Sequence, residues 1–224
     1  MTECPCPACG FLTIGENIFD SYSICGVCGW EDDQVQLSNP TTQGGANQYS
    51  LLEAQTKALS KIPSQVIEFK GFYRDQKWRP LRPSEVEVAR SHSSQEPWKY
   101  KGIISYEDAY WNVNLIPKDI EVEIKATATS DGGRSSPIVT GYRPQFYYDS
   151  KDWVVSLTIE EINGIAPGES GKLFIGFMSP IEHSEILSVG LNFELREGTR
   201  TVASGVVTRI IDLLFSSDLQ KEKS

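Results

Sequence analysis

Two Cys-x-x-Cys pairs near the start of the chain, Cys6-Pro7-Ala8-Cys9 and Cys25-Gly26-Val27-Cys28, are separated by fifteen residues. Thiolate pairs at this spacing can bring four sulfurs onto one Zn²⁺ in tetrahedral array. The pattern therefore predicts a structural zinc held by Cys6, Cys9, Cys25 and Cys28. Gly10 and Gly29, directly after each pair, relieve the tight turn. Two other readings compete, a pair of disulfides and a thioredoxin-like redox motif. Disulfides need an oxidising compartment, and the absence of a signal-peptide pattern points to a reducing, cytoplasmic setting. A redox motif needs a βαβ surround, which the neighbouring sequence does not supply. Four cysteines leave no position open for water, so the expected role is structural, not catalytic. The fifth cysteine, Cys4, is either an exposed spare thiol, the favoured reading, or an alternative ligand.

At 224 residues and 39% hydrophobic, the chain can hold one large domain or two small ones. No apolar run approaches the length of a membrane span, so no membrane partner is expected. The net charge of −9 is unevenly spread: residues 1–60 carry seven acids against Lys57 alone. Residues 61–116 carry nine bases against seven acids, and residues 117–213 fourteen acids against nine bases. A chain this acidic is a poor general polyanion binder, so any nucleic-acid contact must be local.

Trp30, just past the second cysteine pair, is expected to pack over the metal site. The acidic run Glu31-Asp32-Asp33 reads as a solvated turn, and Asn39-Pro40 and Gly44-Gly45 as loops. Ser50 and Glu53 form a capping box, which predicts a helix from Leu51 to about Ile62, before Pro63. Leu52, Leu59 and Ile62, with Leu51, Gln55 and Ala58 beside them, give that helix one apolar flank.

Several of these segments, Cys6-Pro7-Ala8-Cys9-Gly10, Ser21 through Asp33, Gly44-Gly45-Ala46-Asn47 and Ser50 through Gln55, resemble the small bacterial cysteine-rich CPCC family. Ala8 stands where that family has a further cysteine, which leaves Cys6 and Cys9 as the ligand pair. The resemblance covers about residues 1–62 and implies a zinc-ribbon fold, with little indication of function. Downstream, Phe69, Phe72, Tyr73, Arg74, Trp78, Arg79 and Arg82 interleave aromatic and basic side chains. Such interleaving can stack bases over a phosphate-tracking groove, but closure of a small core is the expected role here. Ser91 to Pro97 reads as a linker, and Trp98 to Asn114 as a lead-in that packs on the second half of the chain.

From Asp119 the hydrophobic period becomes two. Ile120, Val122, Ile124, Ala126 and Ala128 alternate with polar residues, as do Trp153 to Ile159 and Leu191 to Leu195. Leu173 to Met178 is a shorter buried run, and Val202 to Ile211 a long last one. With Gly and Pro at short intervals, this predicts an antiparallel barrel or sandwich of about six strands. The segments Gly132-Gly133-Arg134, Gly141 through Tyr147, Pro167-Gly168-Glu169, Pro180-Ile181 and Arg196 through Val207 are similar to the carboxy-terminal barrel of elongation factor Tu. They fall in that family's order across about residues 117–212.

The resulting expectation is a mainly β protein with a small α+β amino-terminal part. A zinc-ribbon-like domain with helix 51–62 spans 1–97, a six-stranded antiparallel β-barrel spans 98–215, and residues 216–224 form a disordered polar tail. The barrel resemblance implies contacts with aminoacyl-tRNA, the exchange factor and a GTPase domain. Gln145, Arg196, Glu197 and Gly198 match barrel positions expected to touch the tRNA backbone. Val154 and Ser179 depart from it, standing where a hydroxyl and a polar or basic side chain are expected. The GTPase domain itself has no counterpart here. Ala166-Pro167-Gly168-Glu169-Ser170-Gly171-Lys172 imitates a phosphate loop, but Leu173 replaces the Mg²⁺-binding hydroxyl, so no GTP is expected. His183, between Glu182 and Glu185, reads as part of a solvated loop, and no catalytic constellation stands out. A non-enzymatic binding protein is expected, with a protein or tRNA partner in the translation apparatus. Net charge disfavours the tRNA. The alternative is an acidic decoy, immunity- or antitoxin-like, that captures a protein, such as a toxin, which normally recognises elongation factor Tu.

Overall fold

The computed structural model describes residues 4–15, 21–92, 109–111 and 116–223, with side chains to 221. The chain divides into two compact units, Met1–Asn114 and Leu115–Ser224. The division falls beyond the expected 97/98 boundary because Ala109, Tyr110 and Trp111 are buried in the core of the first unit, not in the barrel. Most of the predicted linker, and the rest of the 98–114 lead-in, lies outside the described residues.

The first unit opens with a small antiparallel pair, β1 (Cys4–Pro5) and β2 (Leu12–Ile14). A short helix α1 (Gln34–Ser38) follows, then α2 (Leu51–Lys61), the pair β3 (Glu68–Phe69) and β4 (Phe72–Tyr73), and α3 (Pro83–Ser91). The capping box of α2 forms as expected. Ser50 Oγ accepts from Glu53 N at 3.3 Å, and Ser50 N donates to Glu53 Oε2 at 2.9 Å. The acidic run before α1 is not a solvated turn. Asp33 caps α1 by accepting from Val35 N at 2.8 Å, and the fully buried Asp32 accepts from Ser21 N and Oγ. Local N–H groups lacking intrahelical or strand partners draw these carboxylates inward.

Helix α2 turns Leu51, Gln55 and Ala58 into the core. The Gln55 amide donates to Pro7 O at 3.0 Å and to Tyr110 Oη, and its carbonyl accepts from Leu81 N at 3.1 Å. The aromatic–basic stretch closes the core, as expected. Arg74 donates to the carbonyls of Cys9, Ile62 and Pro63, and Trp78 Nε1 donates to Pro7 O at 3.2 Å. Arg79 meets Glu85 through two contacts of 2.8 Å, both side chains being buried.

The second unit is a closed six-stranded antiparallel barrel: β5 (Ile120–Ala126), β6 (Gln145–Tyr148), β7 (Lys151–Thr158), β8 (Ser170–Phe177), β9 (Asn192–Glu197) and β10 (Arg200–Ile210). Their order around the barrel is β10-β5-β8-β7-β6-β9. Alternation places Ile120, Val122, Ile124 and Ala126 inward, while Phe146 stacks on Phe193 at 4.3 Å between ring centres. Strand β6 has no hydrophobic run of its own in the sequence, since only Phe146 and Tyr148 of its four residues face inward. The phosphate-loop look-alike is a turn, with Gly168 at φ +83°, running into β8.

Two expectations for this unit are overturned. The segment expected as a disordered tail from 216 is instead helical through Lys223, as part of α4 (Leu213–Lys223). Ser216 Oγ donates to Asp119 Oδ1 at 2.6 Å, and Asp119 Oδ2 accepts from Phe177 N at 2.7 Å, so a buried carboxylate ties helix to barrel. His183 is fully buried, not solvated. Its Nδ1 lies 2.8 Å from Tyr148 Oη, and the rings of Phe177 and Trp153 stand at 4.1 and 4.6 Å. The flanking acids hid an aromatic nest assembled from β6, β7 and β8.

Burial lowers the His183 pKa to about 4. Below about 6.5 the unfolded chain takes up a proton that the folded one refuses, so stability falls as pH drops toward 4. Allowing for solvent screening, the loss should be about 2 kcal/mol. Thermal unfolding of the barrel at pH 7 and pH 4.5 measures it, and His183→Phe should flatten that part of the profile.

Candidate metal centre and barrel face

The two knuckles are built alike. Cys6 O accepts from Gly10 N at 2.8 Å, and Cys25 O accepts from Gly29 N at 2.9 Å. Cys6 N donates to Phe11 O and Cys25 N to Trp30 O, and Gly10 and Gly29 share φ +78°. Each knuckle turns its two sulfurs to the same side. All four Sγ atoms of Cys6, Cys9, Cys25 and Cys28 lie within 4.8 Å of one another. Cys6–Cys28 and Cys9–Cys25 approach to 3.6 Å, far beyond a disulfide bond. A tetrahedron of sulfurs about 2.3 Å from a metal has edges of about 3.8 Å, so the quartet is spaced to hold one metal ion.

Cys6, Cys9 and Cys25 are buried and Cys28 is exposed. Burial pushes the Cys6 thiol up, whereas donation from Cys28, Cys6 and Cys9, aided by Thr13 Oγ1 at 3.0 Å, holds Cys25 down. The sulfurs of the quartet thus differ in acidity, and the thiol protons among them compete with a cation for the same lone pairs. A cation must displace those protons, so metal affinity should rise with pH. Cys4 lies outside the quartet, and it is buried, not exposed.

The two knuckle glycines are not equivalent. A Cβ at Gly10 would stand 2.5 Å from the Trp78 ring, whereas one at Gly29 would meet nothing within 4 Å. Both carry the left-handed strain of about 1–2 kcal/mol for a non-glycine residue, and overpacking adds about 1–3 kcal/mol at Gly10 alone. Gly10→Ala should therefore destabilise the first unit by about 1–3 kcal/mol more than Gly29→Ala in denaturant titration.

The four barrel residues singled out by resemblance lie at one edge. Gln145 and Arg196 are directly opposed across β6 and β9, both turned outward, and Glu197 and Gly198 lead into the β9–β10 turn, with Gly198 at φ +61°. Val154 pairs with Gln145 on the other side and is 56% exposed. The cations here are already matched. Arg196 lies 2.7 Å from Glu194 and 3.2 Å from the centre of the Tyr147 ring, while Arg134 and Arg200 both reach Glu197. Tyr142 Oη donates to Glu197 at 2.8 Å. Burial and this bond raise the tyrosine to about 12, and the same bond lowers Glu197. The sequence does not mark Glu194, Arg134 and Arg200 as ion-pair partners, nor Tyr142 as a hydrogen-bond donor to Glu197. Only the Glu194-x-Arg196 spacing, which puts both on one strand face, could have exposed part of the network.

Family comparison divides the chain in the same way. Residues 4–61 match the model of the cysteine-rich CPCC family, and residues 117–211 match that of the elongation factor Tu C-terminal domain.

Proposed function

We propose that the chain is a non-enzymatic binding protein whose first unit is folded around a structural zinc. Its barrel presents an elongation factor Tu-like face to a protein partner in the translation apparatus. Four thiolates and no other ligand type favour zinc among the common divalent ions. The single observation that carries the choice of a protein partner is the state of the cations on the barrel edge. Arg196, Arg134 and Arg200 are engaged by Glu194 and Glu197, and an exposed Val154 sits beside Gln145. Phosphates would have to compete with those carboxylates in a chain of net charge −9, whereas a protein surface can use the mixed polar and apolar edge as it stands.

The same acidity favours a second reading, a decoy that intercepts a basic protein normally directed at elongation factor Tu. The test is competition. The full-length protein, immobilised, should retain a defined partner that the isolated carboxy-terminal barrel of elongation factor Tu displaces. A retained translation component supports the first reading, and a retained basic toxin the second. Binding of tRNA with a steep salt dependence and no displaceable protein would overturn both.

A further inference from the structure

A cavity of about 420 Å³ lies between the second knuckle and one face of α2. Ala54, Lys57, Ala58 and Lys61 recur at helical spacing and form that face. Ala54 and Ala58, with Val27 and Ile62, give the cavity an apolar lining, and Lys57 and Lys61 give it charge. These two lysines are the only basic residues among the first 61, which carry seven acids. Neither makes a salt bridge among the described residues, and Lys57 Nζ instead stands 2.8 Å from the centre of the Tyr49 ring, also part of the wall. Trp30 lines the same cavity. It is only 3% exposed, and its indole N–H has no acceptor among the described residues. Buried donors are almost always paired, so an unpaired one on a cavity wall calls for an acceptor from outside the chain. Gly29, at the same wall, has open space where a side chain would project.

We propose that this cavity binds a small organic anion, a carboxylate or phosphate ester on an apolar body. The charged head meets Lys57 and Lys61 and supplies an oxygen to the Trp30 N–H, and the body rests on Val27, Ala58 and Ile62. Cys28 borders the cavity, so the ligand sits beside the metal centre. The site belongs wholly to the first unit and stands apart from the barrel reading, so either can fail without the other.

The test follows the Trp30 indole N–H signal by NMR in the full-length, zinc-loaded protein during titration with phenyl phosphate, phenylacetate, benzyl alcohol and inorganic phosphate. A saturable shift is expected with phenyl phosphate or phenylacetate, and the tighter of the two identifies the head group. Benzyl alcohol and inorganic phosphate, each lacking half of the ligand, should bind at least about tenfold more weakly. Lys57→Gln with Lys61→Gln, both at exposed positions, should weaken the anion by about tenfold and leave benzyl alcohol unchanged. An unmoved Trp30 signal overturns the proposal, as does equal affinity for benzyl alcohol or an unchanged affinity in the double variant.

Discussion

Stripping the metal from the purified protein should abolish the ordered structure of the first unit and leave the barrel intact. One zinc per chain is the expected stoichiometry, and a structural site of this kind contributes on the order of 10 kcal/mol. The regular secondary structure around the knuckles is small. β1 and β2, which flank the first knuckle, pair over two and three residues, and the sulfurs of the two knuckles meet at 3.6 Å without a covalent link. Amide NMR spectra before and after chelation distinguish the outcomes. Signals from residues 4–92 should collapse toward random-coil positions while those from 120–210 hold. Cys9→Ser should reproduce the loss. Cys4→Ser should keep the zinc, because Cys4 lies outside the quartet. Full dispersion of the first unit after zinc removal would show that apolar burial alone suffices.

The second large effect should come from the buried Arg79–Glu85 pair. Glu85→Ala leaves a guanidinium in a site where both partners are at most 10% exposed, with Tyr110 O as a remaining neutral acceptor. Breaking a pair in such surroundings costs about 3–5 kcal/mol, most of it the uncompensated charge. Replacing both residues, Arg79→Met with Glu85→Leu, should recover much of the loss, because no charge is then stranded. Denaturant unfolding of zinc-loaded protein reads both. A double variant no more stable than Glu85→Ala would mean that the links to Pro80 O and Tyr110 O, not the charge pair, are what matter.

The quartet and the barrel strands were legible because each is written as a local period. Two residues between cysteines make a knuckle, and alternation makes a strand with one face inward. Helix α2 was legible to within one residue from its capping box. What could not be read were pairings between residues far apart in the chain. Gln55 looks like a polar interruption of an apolar flank, yet it joins Pro7, Leu81 and Tyr110. His183 looks solvated between two glutamates until β6, β7 and β8 close around it. Ser216 gives no local sign of its partner, yet its hydroxyl donates to Asp119, nearly a hundred residues earlier, and anchors α4 to the barrel. The barrel-edge network was half legible: resemblance singled out Arg196 and Glu197, but not the carboxylate and the arginines that engage them.

The barrel closes by pairing its first strand with its last, Ile120 on β5 lying opposite Ile210 on β10. On a ribosome the seam cannot form until nearly the whole chain has emerged, and until then β5 and β9 carry the unprotected edges. The first unit meets no such delay, since its four clustered cysteines and the residues that buttress them are all made before residue 112. Synthesis thus exposes a complete amino-terminal unit while the barrel is still an open sheet. Conditions that slow late elongation should favour aggregation through the barrel strands, not through the cysteines.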